Sequence, residues 1–146
     1  APSGAPFPIR SATGFDPKGD NGERNSEAPR VFDGNPATFW SSEGYASPDF
    51  GGLKKGVGVL LDFGQPRKVT TVSLVLPTAS DITVYVSSKP SIDGATPVGT
   101  SSGKNGAVTV TAPTPASGQY LIVWFTKIST ASDGRFRATL AEVTAR

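Results

Sequence analysis

From Gly56 onward the chain is built of short apolar or alternating runs separated by turn residues, the pattern of a β-sandwich or barrel. Val57 to Phe63 is a mostly apolar run closed by Gly64-Gln65-Pro66. Lys68 to Leu76 alternates, and Thr70, Val72, Leu74 and Leu76 form the more apolar set, so that set is predicted to face the core. Ile82, Val84 and Val86 share one face of a strand over 81–87, followed by a turn-rich segment from Lys89 to Thr96. Val108 and Val110 share a face over 107–111. Tyr120-Leu121-Ile122-Val123-Trp124-Phe125 is apolar on both faces, which predicts a central strand within 119–127. A final run over 138–145 brings Leu140 and Val143 to the core.

The first part of the chain reads differently. Residues 1–8 are rich in Pro, Gly and Ala and read as a linker or the edge of an excised piece, with one domain over 9–146. Between Thr13 and Arg30 the composition is polar and acidic, too poor in apolar residues for a strand or an amphipathic helix, and a loop is expected. Ser26 to Phe32 can make one helical turn with Ser26 as its cap. Next comes a forced corner, Asp33-Gly34-Asn35-Pro36, followed by the hydroxyl of Thr38 and the anchoring aromatics Phe39 and Trp40. It reads either as a surface turn entering a strand or as an oxygen-rich cation corner completed from elsewhere. Trp40 and Trp124 both sit in apolar strand contexts and are assigned to the core.

Composition narrows the class. The chain has 146 residues, enough for one domain with a sizeable core, and its 17 Gly and 13 Pro suit short punctuated strands better than helices. A formal charge of +2, carried by scattered Lys and Arg, gives nucleic-acid capture little support. The absence of Cys and His removes thiol nucleophiles, imidazole bases and the usual zinc sites, leaving carboxylates or Lys as the only catalytic options. The one acid-rich region, Asp16 to Glu23, lies in the expected loop and lacks the spacing of an EF-hand. An enzyme is therefore not expected. No stretch approaches the roughly 20 apolar residues that span a bilayer.

The ordered set Phe32 to Trp40, then Leu60-Leu61-Asp62-Phe63-Gly64 with Val69-Thr70-Thr71-Val72, then Gln119 to Val123, and finally Leu140-Ala141-Glu142-Val143 resembles the discoidin or coagulation-factor type C domain of the galactose-binding-like superfamily. The resemblance covers the chain from about residue 10 to the end, and it implies an all-β jelly-roll sandwich of about eight antiparallel strands. A narrower likeness rests on Phe15-Asp16-Pro17-Lys18-Gly19-Asp20 and on Leu53 to Leu61. Those segments resemble the C-terminal extracytoplasmic domain of actinobacterial MviN (MurJ) lipid II flippases. That likeness implies a cell-wall-facing tail, tethered to the membrane in the full-length protein through the proline-rich start.

The superfamily resemblance also implies sites. A structural calcium ion, which takes 6 to 8 oxygens, would use Asp33 and Thr38 through side chains, Asn35 and Arg30 through carbonyls, and Glu142 from the last strand. The plainer reading has Asp33 capping amides and Glu142 pairing with an Arg. For a ligand at the loop end, the candidates are Tyr45 and Phe50 in the loop after Trp40, and Arg135, Phe136 and Arg137 before the last strand. Against that, Phe136 suits a core plug and Tyr45 a cover for its loop. Lys54-Lys55 offers a weaker contact for an anionic partner, worth about 1 kcal/mol per Lys near a charged surface.

The expected function is a non-catalytic extracytoplasmic module that recognises a cell-wall glycan or an envelope component. The alternative is a structural or protein-interaction domain that binds no sugar. They differ in whether the loop end presents an aromatic-lined pocket or a closed surface.

Overall fold

The computed structural model describes residues 7, 9–15, 25–32, 37–42, 45, 56–90, 94–130 and 134–146. Its elements in chain order are β1 (Ser11–Phe15), a 3-10 helix η1 (Asn25–Phe32), β2 (Trp40–Ser41), β3 (Val57–Ser87), β4 (Thr96–Lys127), β5 (Ser129–Thr130), β6 (Phe136–Arg137), β7 (Thr139–Leu140) and β8 (Glu142–Ala145). No helix among the described residues is long and apolar enough to cross a membrane.

β3 and β4 are far longer than a typical strand of about 3–10 residues. Their pairing register shows why. Each is a continuous ribbon that bends at irregularities and contributes several straight segments. Segment 57–62 lies between β1 and the 120–125 part of β4, as Ser11 pairs Asp62 and Leu60 pairs Ile122. On its other side the 120–127 stretch pairs with 81–87, and 82–86 pairs in turn with 96–101. One sheet therefore runs β1, 57–62, 120–127, 81–87, 96–101. The second sheet runs 106–111, 71–76, β8, with Val72 opposite both Val110 and Ala145. Every pairing is antiparallel, and the two sheets make a jelly-roll sandwich.

The core follows from this register. Val57, Val59, Leu61, Ile82, Val84, Val86, Leu121, Val123 and Phe125 of the first sheet are buried with Val72, Leu74, Leu76, Val108, Val110 and Val143 of the second. The expected core face of 68–76 holds for Val72, Leu74 and Leu76. Val69, placed on the opposite face by strict alternation, is in the core too, because the register shifts between Val69 and Thr71 and flips the phase. Thr71, past the shift, is also buried and exchanges main-chain hydrogen bonds with Arg146.

Strand 120–127 is central, as predicted, and its two faces end in different clusters. Trp40 packs in the main core, 6.0 Å from the Phe125 ring. Trp124 is 7% exposed and sits with Ile122, Leu60 and Tyr85 in a satellite cluster on the other face of the sheet. Gly56 and Gly58 make room there: a Cβ on Gly56 would lie 2.7 Å from the Trp124 ring, and one on Gly58 would overlap the Val123 carbonyl.

Two expectations are corrected and one holds. Thr13 to Phe15 are not loop but the second half of β1, because an edge strand needs only main-chain pairing to 58–60 and few apolar side chains. The segment 96–101, read as turn-rich at its start, is an edge strand that tolerates Pro97 and Gly99. The helical turn at 26–32 is present as η1. The acidic loop 16–23, Lys54 and Lys55 lie outside the described residues.

Candidate functional site

Strand direction sorts the turns into two ends. Residues 7, 9, 10, 63–68, 88–90, 94, 95, 112–118 and Arg146 lie at one end. The opposite end gathers the exits of β1 and 120–127, the entries to 57–62 and 81–87, and the hairpin around 102–105. Candidate ligand contacts fall at this second end, away from the termini.

Tyr45 and Phe136 face each other in an isolated antiparallel bridge, with reciprocal main-chain hydrogen bonds of 2.8 and 3.0 Å. The bridge continues into Ser42 opposite Ala138. Ser42 N–H donates to Ala138 O at 2.8 Å, and Ala138 N–H donates to the buried Ser42 Oγ at 2.9 Å. Arg137 Nη1 donates to Ser42 O at 2.8 Å, which fixes its guanidinium. β5 closes the same corner by pairing Thr130 with Phe136. Tyr45 is thus brought to the consecutive candidates Arg135, Phe136 and Arg137, so four of the five ligand candidates share one corner. They play different parts. Tyr45 is only 6% exposed, so it holds the corner rather than offering an open ring face. Phe136 is half-buried and packs against the main core. Arg137 is half-buried and Arg135 is exposed. Phe50 lies outside the described residues.

Beside this corner is a small depression of about 160 Å³ lined by Ala79, Ser80, Asp81, Gly103, Lys127, Ile128 and Ser129. Asp81 Oδ1 accepts the Gly103 N–H at 2.7 Å, and Ser129 Oγ donates to Ala79 O, so part of its polar lining is already spent. The sequence reading missed these residues. Their only signal was position at strand ends, with Asp81 and Lys127 opening and closing apolar runs.

Of the calcium candidates, Arg30 lies on η1, Thr38 just before β2 and Glu142 at the start of β8. Trp40 pairs Leu140 and Ser41 pairs Thr139, so Thr38, just before β2, and Glu142, just after β7, flank the same short ladder. Arg30 Nη1 donates to Phe39 O at 3.4 Å, and its guanidinium lies 3.7 Å from Glu27 Oε1, which brings the end of η1 to the same strand. Glu142 Oε1 is buried. This set offers a carboxylate and a hydroxyl of the kind a hard cation takes. Asp33 and Asn35 lie outside the described residues. Among the described residues no group of three Asp, Glu, His or Cys gathers, so the fit there rests on one carboxylate, one hydroxyl and carbonyls.

No protein-family model matches the sequence. Solved structures share the fold over nearly the whole chain. The CBM32 of AlyQ in complex with 4,5-unsaturated mannuronic acid aligns with a TM-score of 0.65 and 21% identity over 98% of both chains. Chitosan-binding module 1 of a chitosanase/glucanase from Paenibacillus sp. IK-5 aligns with a TM-score of 0.68 and 21% identity, covering 98% of this chain and 99% of that one. The family 32 CBM of NanJ from C. perfringens, in complex with galactose, gives 0.61 and 17% over 92% and 91%. At these identities the likeness shows the fold alone, an antiparallel jelly-roll sandwich.

Proposed function

We propose that this chain is a non-catalytic glycan-recognising module whose contacts lie at the loop end opposite the termini. The observation that carries this reading is the corner where the Tyr45–Phe136 bridge meets the Arg137 guanidinium fixed on Ser42 O, with Arg135 exposed beside it. Buried support, a half-buried ring and two guanidiniums are the parts a sugar site needs, since guanidinium donors meet ring hydroxyls and an apolar surface meets the sugar face. The fold adds support, because its structural neighbours include modules solved with mannuronic acid derivatives and galactose. The test is retention on purified wall polysaccharide and on a glycan array. Retention that falls about tenfold in Arg135→Ala supports the reading, and no retention by the native chain rejects it.

The setting proposed is extracytoplasmic, as the wall-facing tail of a lipid II flippase tethered to its membrane domain. Its support is the resemblance of Phe15 to Asp20 and Leu53 to Leu61 to that family's C-terminal domain. The glycan is then a wall component and, as a further partner, an envelope protein. Co-purification of the full-length protein with the membrane fraction, with this domain cleaved by protease added outside spheroplasts, tests the setting. Protection from that protease would reject it.

A structural calcium ion at the Thr38–Glu142 corner, with Arg30, Asp33 and Asn35, belongs to the same proposal. An ion that binds only the native state raises its stability by RT ln(1 + [L]/Kd), about 2.7 kcal/mol at a hundredfold excess over Kd. The melting temperature of chelator-treated protein should rise with millimolar calcium, and the rise should vanish in Glu142→Gln. An unchanged melting temperature rejects the ion.

A second reading, a structural or protein-interaction domain without sugar binding, is favoured by the enclosure of Tyr45 and the core packing of Phe136. Intact folding without glycan retention, in the experiment above, would establish it.

A further inference from the structure

A recess larger than the loop-end depression has a lining that includes no residue of the Tyr45–Phe136 bridge. It is a groove of about 400 Å³ between edge strand 96–101 and the start of 104–111, the open edges of the two sheets. That volume falls within the range of about 300–1,000 Å³ usual for small-ligand sites, whereas the loop-end depression falls below it.

Its walls are polar and firmly held. Gly99 lets the two edges meet, since a Cβ there would lie 3.1 Å from Val110 Cβ. Beyond that point the hairpin turns through Gly103 and Gly106, with φ of 65° and 79°. The Asp81 carboxylate on Gly103 N–H and the pairing of Ser80 with Lys104 anchor it. Thr100, Ser101, Ser102 and Thr109 give the lining its hydroxyls, Ala107 an apolar floor and Lys104 an ammonium.

Two features show that these groups are not consumed by the fold. Ser101 Oγ is buried at the groove wall and makes no hydrogen bond with the described residues, although leaving a buried hydroxyl unmet costs about 1–3 kcal/mol. Lys104 is exposed, and no carboxylate among the described residues pairs with it. Along both edges the main chain has no further strand partner among the described residues, which adds free N–H and C=O groups.

We infer that this edge groove binds a saccharide unit bearing a carboxylate. Lys104 takes the charge, the hydroxyls of Thr100, Ser101, Ser102 and Thr109 exchange hydrogen bonds with those of the sugar, and Ala107 meets its C–H face. A single ammonium does not make the field that a polyanionic nucleic acid or a lipid surface needs. The inference borrows from the glycan-recognition reading only the class of ligand, and its site is separate from Arg135 and Arg137.

The test is a titration of the ¹⁵N-labelled chain with trigalacturonate at low ionic strength, with maltotriose as the uncharged control. Saturable shifts of amides within 100–109 are expected with trigalacturonate, and much weaker ones with maltotriose. Lys104→Gln should weaken trigalacturonate about fivefold, the equivalent of about 1 kcal/mol for one solvent-exposed contact, while its spectrum shows the fold intact. Shifts confined to 128–137 would remove the edge groove and leave the loop-end reading standing. No shift with either sugar at millimolar concentration would remove this inference, and the wall and array experiment would then decide the loop end independently. Equal affinity in Lys104→Gln would overturn the assignment of the charge.

Discussion

At the end that holds the termini, main-chain groups and the Asp62 carboxylate close the sandwich, although the buried Nε atoms of Arg67 and Arg146 make no hydrogen bond with the described residues. Phe7 N–H donates to Ala145 O and Arg10 N–H to Asp62 O, both at 2.8 Å, and Thr71 and Arg146 exchange main-chain bonds of 2.9 and 3.0 Å. Asp62 Oδ1 accepts from Gly64 N–H at 2.7 Å and from Gln119 Nε2 at 3.0 Å. Arg67 stacks 5.5 Å above the Phe7 ring, which meets Phe63 edge-on. The opposite end is made by the same strands, yet its polar groups split. An inner ring around Ser42, Tyr45 and Ala138 is consumed by hydrogen bonds, while Lys104 projects into solvent. A sandwich has two ends and needs only one of them to receive its termini. The other is free to carry side chains that the fold does not spend on itself, and binding sites are drawn from such positions.

Four substitutions probe that contrast. Phe125→Ala, in the core shared by both ends, should cost the most, about 3–5 kcal/mol by urea denaturation, because it leaves a cavity beside Trp40. Asp62→Ala, which strips the terminus end of an acceptor used twice, should cost about 1–3 kcal/mol and speed amide exchange at Gly64. Ser42→Ala removes the acceptor of a buried N–H in the inner ring and should cost about 1 kcal/mol, with faster exchange at Ala138. Arg135→Ala should move stability by less than about 0.5 kcal/mol while reducing glycan retention. The contrast breaks if Arg135→Ala unfolds the domain as readily as Asp62→Ala. It sharpens if Ser42→Ala lowers retention too, since that would tie the inner ring to the contacts it supports.

Much of the sandwich was legible because burial leaves a period-two mark. Ile82, Val84 and Val86, and the doubly apolar 120–125 run, announced their faces directly. What escaped were elements held by main-chain pairing alone. Ser11–Phe15 and the 96–101 edge carry Gly, Pro, Ser and Thr, so their strand character lies in their neighbours rather than in their side chains. The irregularity between Val69 and Thr71 escaped for a related reason, since a shift of register alters which face is buried without altering composition. At the candidate sites, residue types were legible, while roles were left as alternatives, ligand contact against core plug or loop cover. Tyr45 and Phe136 were recognisable as aromatics near a loop end, but only their bridge shows that one ring is enclosed and the other half-open to solvent.

By itself the sequence determined an all-β body, its central strand and the residues of its core, because hydrophobic alternation acts locally along each strand. Only the tertiary structure decided which open edges come together around Lys104, and that Trp40 and Ser41 pair with Leu140 and Thr139. It also decided that Ser42 anchors a corner nearly a hundred residues away in the chain, through Arg137 and Ala138. These are long-range pairings, fixed by the cooperative closing of two sheets, and no short stretch of chain carries the free energy that selects them.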